Sequence, residues 1–130
     1  DHAFDVAKSP DALKPFAQNK GTFDVMFEAS GNESALVGAF DALRPGATIV
    51  QVGLGGDVTL PMNTVVAKEF VLKGTFRFHE EFETAVAMMN NGLIDVSPLI
   101  THTLPYRHAV KAFDLAGDRT QAMKIQLAFS

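Results

Sequence analysis

The chain has 130 residues, with 15 acidic and 11 basic side chains and a formal net charge of −4. Hydrophobic residues make up 47% and charged residues 20%, which is typical of a globular protein and excludes a disordered chain or a coiled coil. The acidic balance gives no basic surface for nucleic acid or for an anionic membrane. Cysteine is absent, so disulfides, thiolate zinc sites and cysteine nucleophiles are excluded too.

The sequence contains no recognisable targeting or spanning segment. The N-terminal residues have neither a basic stretch nor an apolar one, and every apolar run is far shorter than the ~20 residues of a transmembrane helix. We therefore expect a cytoplasmic protein with no membrane partner, in which the glycosylation triplet at Asn32 occurs by chance.

The first predicted elements are a strand and a helix. Residues 23–29 form a short apolar run, typical of a strand covered on both faces. Ser30 and Glu33 have the spacing of a capping box and predict a helix, which Pro45-Gly46 would end. Four apolar residues recur on one face of this helix: Leu36, Ala39, Phe40 and Leu43.

Strands are predicted next at residues 47–53 and 70–76. A short helix at 62–69 lies between them, and residues 58–60 form a short extended piece before it. Alternating strands and helices at this spacing favour right-handed parallel crossovers in an open α/β sheet.

The final third has a different pattern. A helix ending at Asn91-Gly92, a half-exposed strand at 100–104, a helix closed by Gly117 and a last strand at 123–129 are predicted. The last strand has one apolar and one polar face, typical of a sheet edge or of a mixed sheet. The apolar stripes of the two helices are expected to be core: Phe82, Ala85, Val86 and Met89 in the first, Ala109, Val110, Phe113 and Ala116 in the second.

Catalytic motifs are lacking. The histidines stand apart in the sequence, so no metal site is predicted in this chain, and His102 is expected at the surface. Glu80, Glu81 and Glu83 are typical of a solvated helix start, where the helix dipole favours acidic groups.

Three predicted strand ends carry small residues that expose the backbone: 29–31, 52–56 and 74–77. Ligands of open α/β sheets bind beyond the carboxyl ends of the strands, and glycine lets main-chain groups approach them. A single such end would indicate a tight turn, but three in series favour a cofactor cleft. The complete dinucleotide fingerprint is absent, because no helix follows the glycines after residue 53.

Four segments together resemble the C-terminal part of the zinc-dependent medium-chain dehydrogenases, polyol branch: FDVMFEASG, LRPGATIVQVGLGG, KEFVLKGTFRF and AGDRTQAMKIQLAF. The resemblance covers nearly the whole chain. It implies an α/β fold in which residues 1–78 are the later part of a Rossmann domain, a doubly wound parallel sheet whose third strand lies near Ala3–Val6. Residues 79–130 would then be C-terminal helices and strands that return to the catalytic domain.

The same resemblance implies cofactors and site residues. The longer parent enzyme would use NAD or NADP and zinc, with the zinc ligands and the proton relay outside this chain. No residue here would be catalytic or metal-binding. Arg77 and Phe78 would face a small polyol or sugar-acid substrate, although sorbitol dehydrogenases carry a tyrosine where this chain has Phe78. Eight residues would line the cofactor: Ala29, Ser30, Gly31, Val52, Gly53, Leu54, Thr75 and Phe76.

Three functions follow as hypotheses. The first is a fragment, inactive alone, of an enzyme that oxidises a secondary alcohol by hydride transfer. The second is a non-catalytic α/β oligomerisation or binding module, forming a homo-oligomer through the last Rossmann strand (71–76) and Val58–Leu60. The third, a small phosphoacceptor domain, requires an aspartate cluster that Glu28 and Asp57 do not supply.

Overall fold

The computed structural model describes residues 2–118 and 120–129. It divides into two compact units, Asp1–Arg77 and Phe78–Ser130. No helix within the described residues combines the length and the apolar character needed to cross a bilayer.

The first unit is a three-stranded parallel sheet in the order β1-β2-β3, with one helix in each crossover. The α/β class and the parallel pairing predicted from the alternation of elements are confirmed. The elements in chain order are β1 (Phe23–Glu28), α1 (Glu33–Gly38), β2 (Leu43–Gln51), α2 (Met62–Ala67) and β3 (Val71–Gly74).

The core of this unit lies on one face of the sheet. Leu36 of α1 and Val65 of α2 pack in one cluster with Ile49 of β2, so both crossover helices cover the same face. Phe40 and Phe70 meet edge to face in this cluster, with ring centroids 5.1 Å apart. Burial of these side chains supplies the main stabilisation of the sheet.

The opposite face of the sheet is open in this chain. Val25 and Phe27 of β1 are 48% and 72% exposed. Their neighbours across the ladder, Thr48 and Val50, are half-buried. The expectation of a strand covered on both faces is therefore wrong for β1, because α1 and α2 both pack on the other side.

The predicted first helix is much shorter than its apolar stripe. The helix α1 ends at Gly38, a 3-10 turn covers Phe40–Ala42, and β2 already begins at Leu43. Leu36, Phe40 and Leu43 are buried as the stripe required, but in three different elements. The predicted stop at Pro45-Gly46 is wrong, because these residues lie inside β2.

Lys68 explains why the helix gives way to a strand. Its ammonium group donates to the carbonyls of Phe40 (2.8 Å), Asp41 (3.0 Å) and Leu43 (2.7 Å), and also to that of Lys20 at 3.1 Å. Carbonyls bonded in this way do not need helical partners. A lysine 25 residues beyond Leu43 therefore sets the local backbone, and the stripe alone gives no sign of it.

One further expectation fails at the start of this unit. Ala3–Val6, expected as a Rossmann strand, contains no strand. There the Asp5 carboxylate accepts the N–H of Ala7 (3.1 Å) and of Lys8 (3.3 Å), which turns the chain. Val58–Leu60 pairs with no strand of the described residues, and the Thr59 N–H donates to Glu33 Oε2 at 2.7 Å.

The second unit is a β-α-β arrangement preceded by a helix. Its elements are α3 (Glu81–Asn90), β4 (Ile100–Pro105), α4 (Ala109–Gly117) and β5 (Lys124–Ala128). The strands β4 and β5 pair in parallel, with His102 beside Ile125 and Leu104 beside Leu127. As predicted, His102 is exposed.

The predicted apolar stripes of the second unit are mostly exposed. Phe82 and Met89 of α3 are 51% and 39% exposed, and Val110 and Phe113 of α4 are 78% and 74% exposed. The prediction that these stripes are core is therefore wrong for this chain, and the buried residue of α4 is Ala112 instead. Phe82 packs instead on the ring of Phe78, with centroids 4.7 Å apart.

Candidate functional site

The carboxyl ends of β1 and β2 meet at a buried carboxylate. Glu28 is the last residue of β1, lies on the same face of the sheet as Met26, and is 3% exposed. A buried charge is costly unless hydrogen-bond donors surround it. The donors around Glu28 therefore determine how the chain folds at this edge of the sheet.

The turn after β1 supplies most of these donors. The Glu28 carboxylate accepts the N–H of Ser30 at 2.8 Å, the N–H of Gly31 at 2.9 Å and the Ser30 hydroxyl. Ser30 also accepts the N–H of Asn32 through its hydroxyl oxygen at 3.2 Å. The turn is thus wrapped around the carboxylate that precedes it.

This arrangement corrects the predicted capping box. The N-cap of α1 is Asn32, whose side-chain oxygen accepts the N–H of Ser34 at 2.8 Å. The Ser30 hydroxyl donates to the Glu28 carboxylate, and the Glu33 carboxylate accepts the N–H of Thr59. The spacing of hydroxyl and carboxylate is that of a capping box, but both groups bond elsewhere.

The turn after β2 is tied to the same residue. Gln51 donates through Nε2 to Glu28 Oε2 at 2.6 Å and to the carbonyl of Gly53 at 3.0 Å. The carbonyl of Glu28 accepts the N–H groups of Val52 (2.7 Å) and Gly53 (2.8 Å). Glu28 therefore accepts six donor groups. Three belong to the turn after β1, and three belong to Gln51 and the turn that follows it, more than 20 residues further along the chain.

The pKa of Glu28 is lowered from its ordinary value of 4.5. The Ser30 hydroxyl is the largest cause, burial opposes it, and the N–H groups of Gly31 and Ser30 and the Gln51 amide lower the pKa further. The carboxylate is therefore ionised at neutral pH, as its all-donor surroundings require.

Three glycines make the contact between the two turns possible. A Cβ at Gly53 would overlap the backbone nitrogen of Gly31, and one at Gly55 would overlap the Gly31 carbonyl. Gly31 itself has φ +68°, and its own Cβ would lie 2.7 Å from the nitrogen of Gly55. These glycines are needed for the packing of one turn on the other.

A cleft of about 210 Å³ is lined by residues of both turns. Gly31, Gln51 and the glycine-rich residues 53–56 form part of its lining. Four aliphatic residues form the rest: Leu36, Val58, Leu60 and Leu72. Another hollow, on the second unit, has only apolar side chains: Ala112, Phe113, Ala116, Ile125 and Leu127.

Seven of the predicted site residues lie at strand ends that hydrogen bonds connect. Ala29, Ser30 and Gly31 lie at the end of β1, and Val52, Gly53 and Leu54 at the end of β2; the hydrogen bonds of Glu28 bring these two groups together. Thr75 is joined to them through its N–H, which donates to the carbonyl of Gln51 at 3.1 Å.

The remaining candidates lie outside this network. Phe76 is 62% exposed, and the Arg77 guanidinium lies over its ring at 5.0 Å from the centroid. Arg77 has φ +60°, a left-handed conformation that is unfavourable for a residue with a side chain. Phe78 belongs to the second unit and packs on Phe82 there.

Glu28 and Gln51 are the site residues that the sequence analysis missed as such. The sequence does contain a signal for Glu28, because this residue ends an apolar strand and lies on the same face of that strand as Met26. A charged residue on the covered face of a strand requires donors, and Ser30-Gly31 stands immediately after it.

Comparison with known proteins identifies the family. The sequence profile described as zinc-binding dehydrogenase matches residues 1–91. The chain belongs to the zinc-binding dehydrogenase family. The predicted family membership and fold class are thus confirmed.

Individual relatives narrow the comparison. The chain is 41% identical over 128 residues to L-idonate 5-dehydrogenase (NAD(P)(+)) of Escherichia coli, covering 96% of this chain and 37% of that protein. It is 33% identical over 92 residues to sorbitol dehydrogenase of Macaca fascicularis, covering 70% and 26%. The crystal structure of the Escherichia coli L-idonate 5-dehydrogenase superposes with a TM-score of 0.85 and 42% identity over 89% of this chain and 34% of that one. The chain thus spans about a third of the length of these relatives.

Substituting Gly53 tests the contact between the two turns. We expect Gly53→Ala to lower the free energy of unfolding by roughly 1–3 kcal/mol or more, because the added methyl group meets backbone that cannot move aside. Gly38→Ala is the matched control, since a Cβ at Gly38 meets nothing within 4 Å. It should be neutral or stabilising by up to ~1 kcal/mol. Urea unfolding measures both, and a Gly53→Ala protein as stable as wild type would contradict the tight contact.

The lowered pKa of Glu28 predicts a pH-dependent contribution to stability. A carboxylate whose pKa is lower in the folded chain stabilises the fold above its ordinary pKa, and this contribution is lost as pH falls through the folded value. The stability difference between wild type and Glu28→Gln should therefore be largest near ~pH 7 and shrink below about pH 4. Lowered pKa values at Glu81, Asp95 and Asp118 affect both proteins alike, so they cancel in the difference. A difference that is constant with pH would exclude an ionised Glu28 as its source.

Proposed function

We propose that this chain is part of a longer NAD(P)- and zinc-dependent dehydrogenase that oxidises a polyol or sugar acid, in the manner of L-idonate 5-dehydrogenase. In that reaction the secondary alcohol loses a hydride to the nicotinamide and a proton from its hydroxyl, and a ketone results. Residues 1–78 are proposed as the later part of the cofactor domain, and residues 79–130 as the return to the catalytic domain. The cytoplasmic location stays a prediction.

The cleft at the carboxyl ends of β1 and β2 carries this proposal. Its wall of peptide groups suits a flat, polar carboxamide ring, and its aliphatic side suits the face of that ring. The identity of 41% to a relative named for NAD(P)(+) supports the same cofactor class.

The hydrogen bonds within the site limit how the backbone could contact a cofactor. The N–H groups of Val52 and Gly53 are already bonded to the Glu28 carbonyl. We therefore propose that the Val52 carbonyl and the Leu54 N–H face the nicotinamide carboxamide and ribose, while Ala29, Ser30 and Gly31 flank the central part of the cofactor. Thr75 and Phe76 are proposed to line the ring.

Arg77 and Phe78 are proposed to contact the substrate. A guanidinium can hold vicinal hydroxyls or a carboxylate by paired hydrogen bonds. The left-handed backbone of Arg77 supports a functional role, since such conformations cluster at ligand-binding positions. The phenylalanine at 78 lacks a hydroxyl and favours a substrate different from that of sorbitol dehydrogenases.

Zinc does not fit the residues of this chain. The sequence has no cysteine, and residues 2–118 and 120–129 contain no group of three histidine, aspartate or glutamate side chains that could hold a metal ion. Any zinc of the longer enzyme would need ligands from other parts of that protein, and no step here depends on it.

Turnover tests the proposal directly. The full-length protein that contains this chain should reduce NAD+ or NADP+ in the presence of L-idonate or a related polyol, as measured by reduced-nicotinamide absorbance. The 130-residue chain alone should give no turnover, because no group of side chains in the part that the structure describes could hold the metal. The proposal would be contradicted if the full-length protein reduced neither NAD+ nor NADP+, or if the 130-residue chain alone gave turnover.

A pair of variants sharpens the same assay. Arg77→Ala should raise the KM for the alcohol roughly tenfold or more, through loss of charge-assisted hydrogen bonds, and leave the KM for the cofactor unchanged. Lys73→Ala, an exposed cation on β3, is the matched control and should behave as wild type.

A second candidate function is assembly of copies of this chain. All four residues of β3 are exposed, and its pairing within the described residues is with β2. Open strand edges favour pairing with another chain. Val71→Lys at this edge should then lower the average mass measured by light scattering at high concentration. A mass near the monomer value of 14.0 kDa for the wild-type chain would exclude this function.

A further inference from the structure

We propose that Glu28 is a positioning residue that fixes the geometry of the cofactor cleft without touching the cofactor. This inference rests on the proposed function. Glu28 bonds to both turns lining the cleft, to one through its carboxylate and to the other through its carbonyl. Its side chain is 3% exposed, so it acts on a ligand only through the groups it holds.

A carboxylate is the chemical group that these surroundings require. Its neighbours are the N–H groups of Ser30 and Gly31, the Ser30 hydroxyl and the Gln51 amide, and all of them donate. A glutamine at position 28 would place an NH₂ group against at least one of these donors. Glutamine has nearly the same volume as glutamate, but the substitution leaves buried donors facing each other.

Gln51 transmits the position of Glu28 to the second turn. Its Nε2 donates both to Glu28 Oε2 and to the Gly53 carbonyl, so the carboxylate, the amide and the second turn form one chain of hydrogen bonds. The Leu54 N–H and the Val52 carbonyl, proposed above to face the nicotinamide, flank the carbonyl that Gln51 holds. Moving Gln51 would therefore move the groups that meet the cofactor.

The two turns have little freedom to adjust by themselves. Gly31, Gly53 and Gly55 bring their backbones into contact, so a shift of one turn displaces the other. Both turns carry the groups proposed to contact the cofactor, so loss of the Glu28 anchor should weaken cofactor binding more than binding of the alcohol.

The test compares four forms of the full-length protein: wild type, Glu28→Gln, Gln51→Met and the double variant. The dissociation constant of the reduced nicotinamide cofactor is measured by fluorescence, and KM is measured separately for cofactor and alcohol. We expect Glu28→Gln to weaken cofactor binding by roughly tenfold or more and to leave the KM for the alcohol within about twofold of wild type. Gln51→Met should act in the same direction, and the double variant should be no weaker than Glu28→Gln, because the two residues act as a unit.

Val65→Ala is the control for stability. Val65 is a buried core residue of α2, 8% exposed, and its truncation should destabilise the fold without changing cofactor affinity. Cofactor affinity in Glu28→Gln equal to wild type, or lowered equally in Val65→Ala, would overturn the positioning role alone. Wild-type protein that binds no nicotinamide cofactor would overturn the proposed function and this inference with it. If Glu28→Gln does not fold, the cofactor affinity of Gln51→Met tests the proposal instead. A wild-type cofactor affinity in Gln51→Met would overturn the positioning role of Glu28.

Discussion

The burial of one carboxylate constrains the whole functional edge of the sheet. Removing a charge from water costs several kcal/mol even after relaxation, unless donors replace the lost hydration. At the Glu28 carboxylate those donors are two backbone N–H groups of the turn after β1, the Ser30 hydroxyl and the Gln51 amide. The turn after β2 is held by the main-chain carbonyl of the same residue, which accepts the N–H groups of Val52 and Gly53. The chain beyond β1 and β2 therefore follows a path that brings these donors to Glu28.

Glycine has two roles at this edge. In the sequence, glycines at the strand ends expose peptide groups, which suggests that a ligand approaches the backbone closely. In the structure, Gly31, Gly53 and Gly55 are first required by each other, because the turns touch backbone to backbone. The N–H groups of Val52 and Gly53 are likewise used within the protein. The two interpretations of these glycines, tight turns and a cofactor wall, are compatible: the contact between turns makes the wall rigid, and the groups facing outward remain for a ligand.

Sequence patterns predicted the elements that local spacing determines. The strands β1 and β3, the helices α2 and α3 and the parallel crossovers lie close to their predicted positions, because period-2 and period-3.6 patterns report burial of one face. The length of α1 was not predictable, since Lys68 bonds carbonyls far away in sequence. The burial of α3 was mispredicted because an apolar stripe states only that a face can be buried. Glu28 stands in the sequence only as a residue that does not supply a phosphoacceptor cluster, and one of its donors, Gln51, lies 23 residues further along the chain.

The strand ends of the first unit differ in how many hydrogen bonds hold them, and this difference fits the proposed chemistry. The ends of β1 and β2 are fixed by Glu28, and Thr75 still bonds to the carbonyl of Gln51. Beyond it, Phe76 and Arg77 are exposed, and Arg77 adopts a left-handed backbone conformation. In the proposed enzyme, hydride transfer would need its donor and acceptor carbons held at a near-attack distance, which demands rigidity where the nicotinamide ring would be held. The proposed substrates, which differ in their hydroxyl groups, would demand adaptability where they are recognised. The carboxyl-end edge of the sheet meets both demands if the ends of β1 and β2 are anchored by a buried charge and the end of β3 is not.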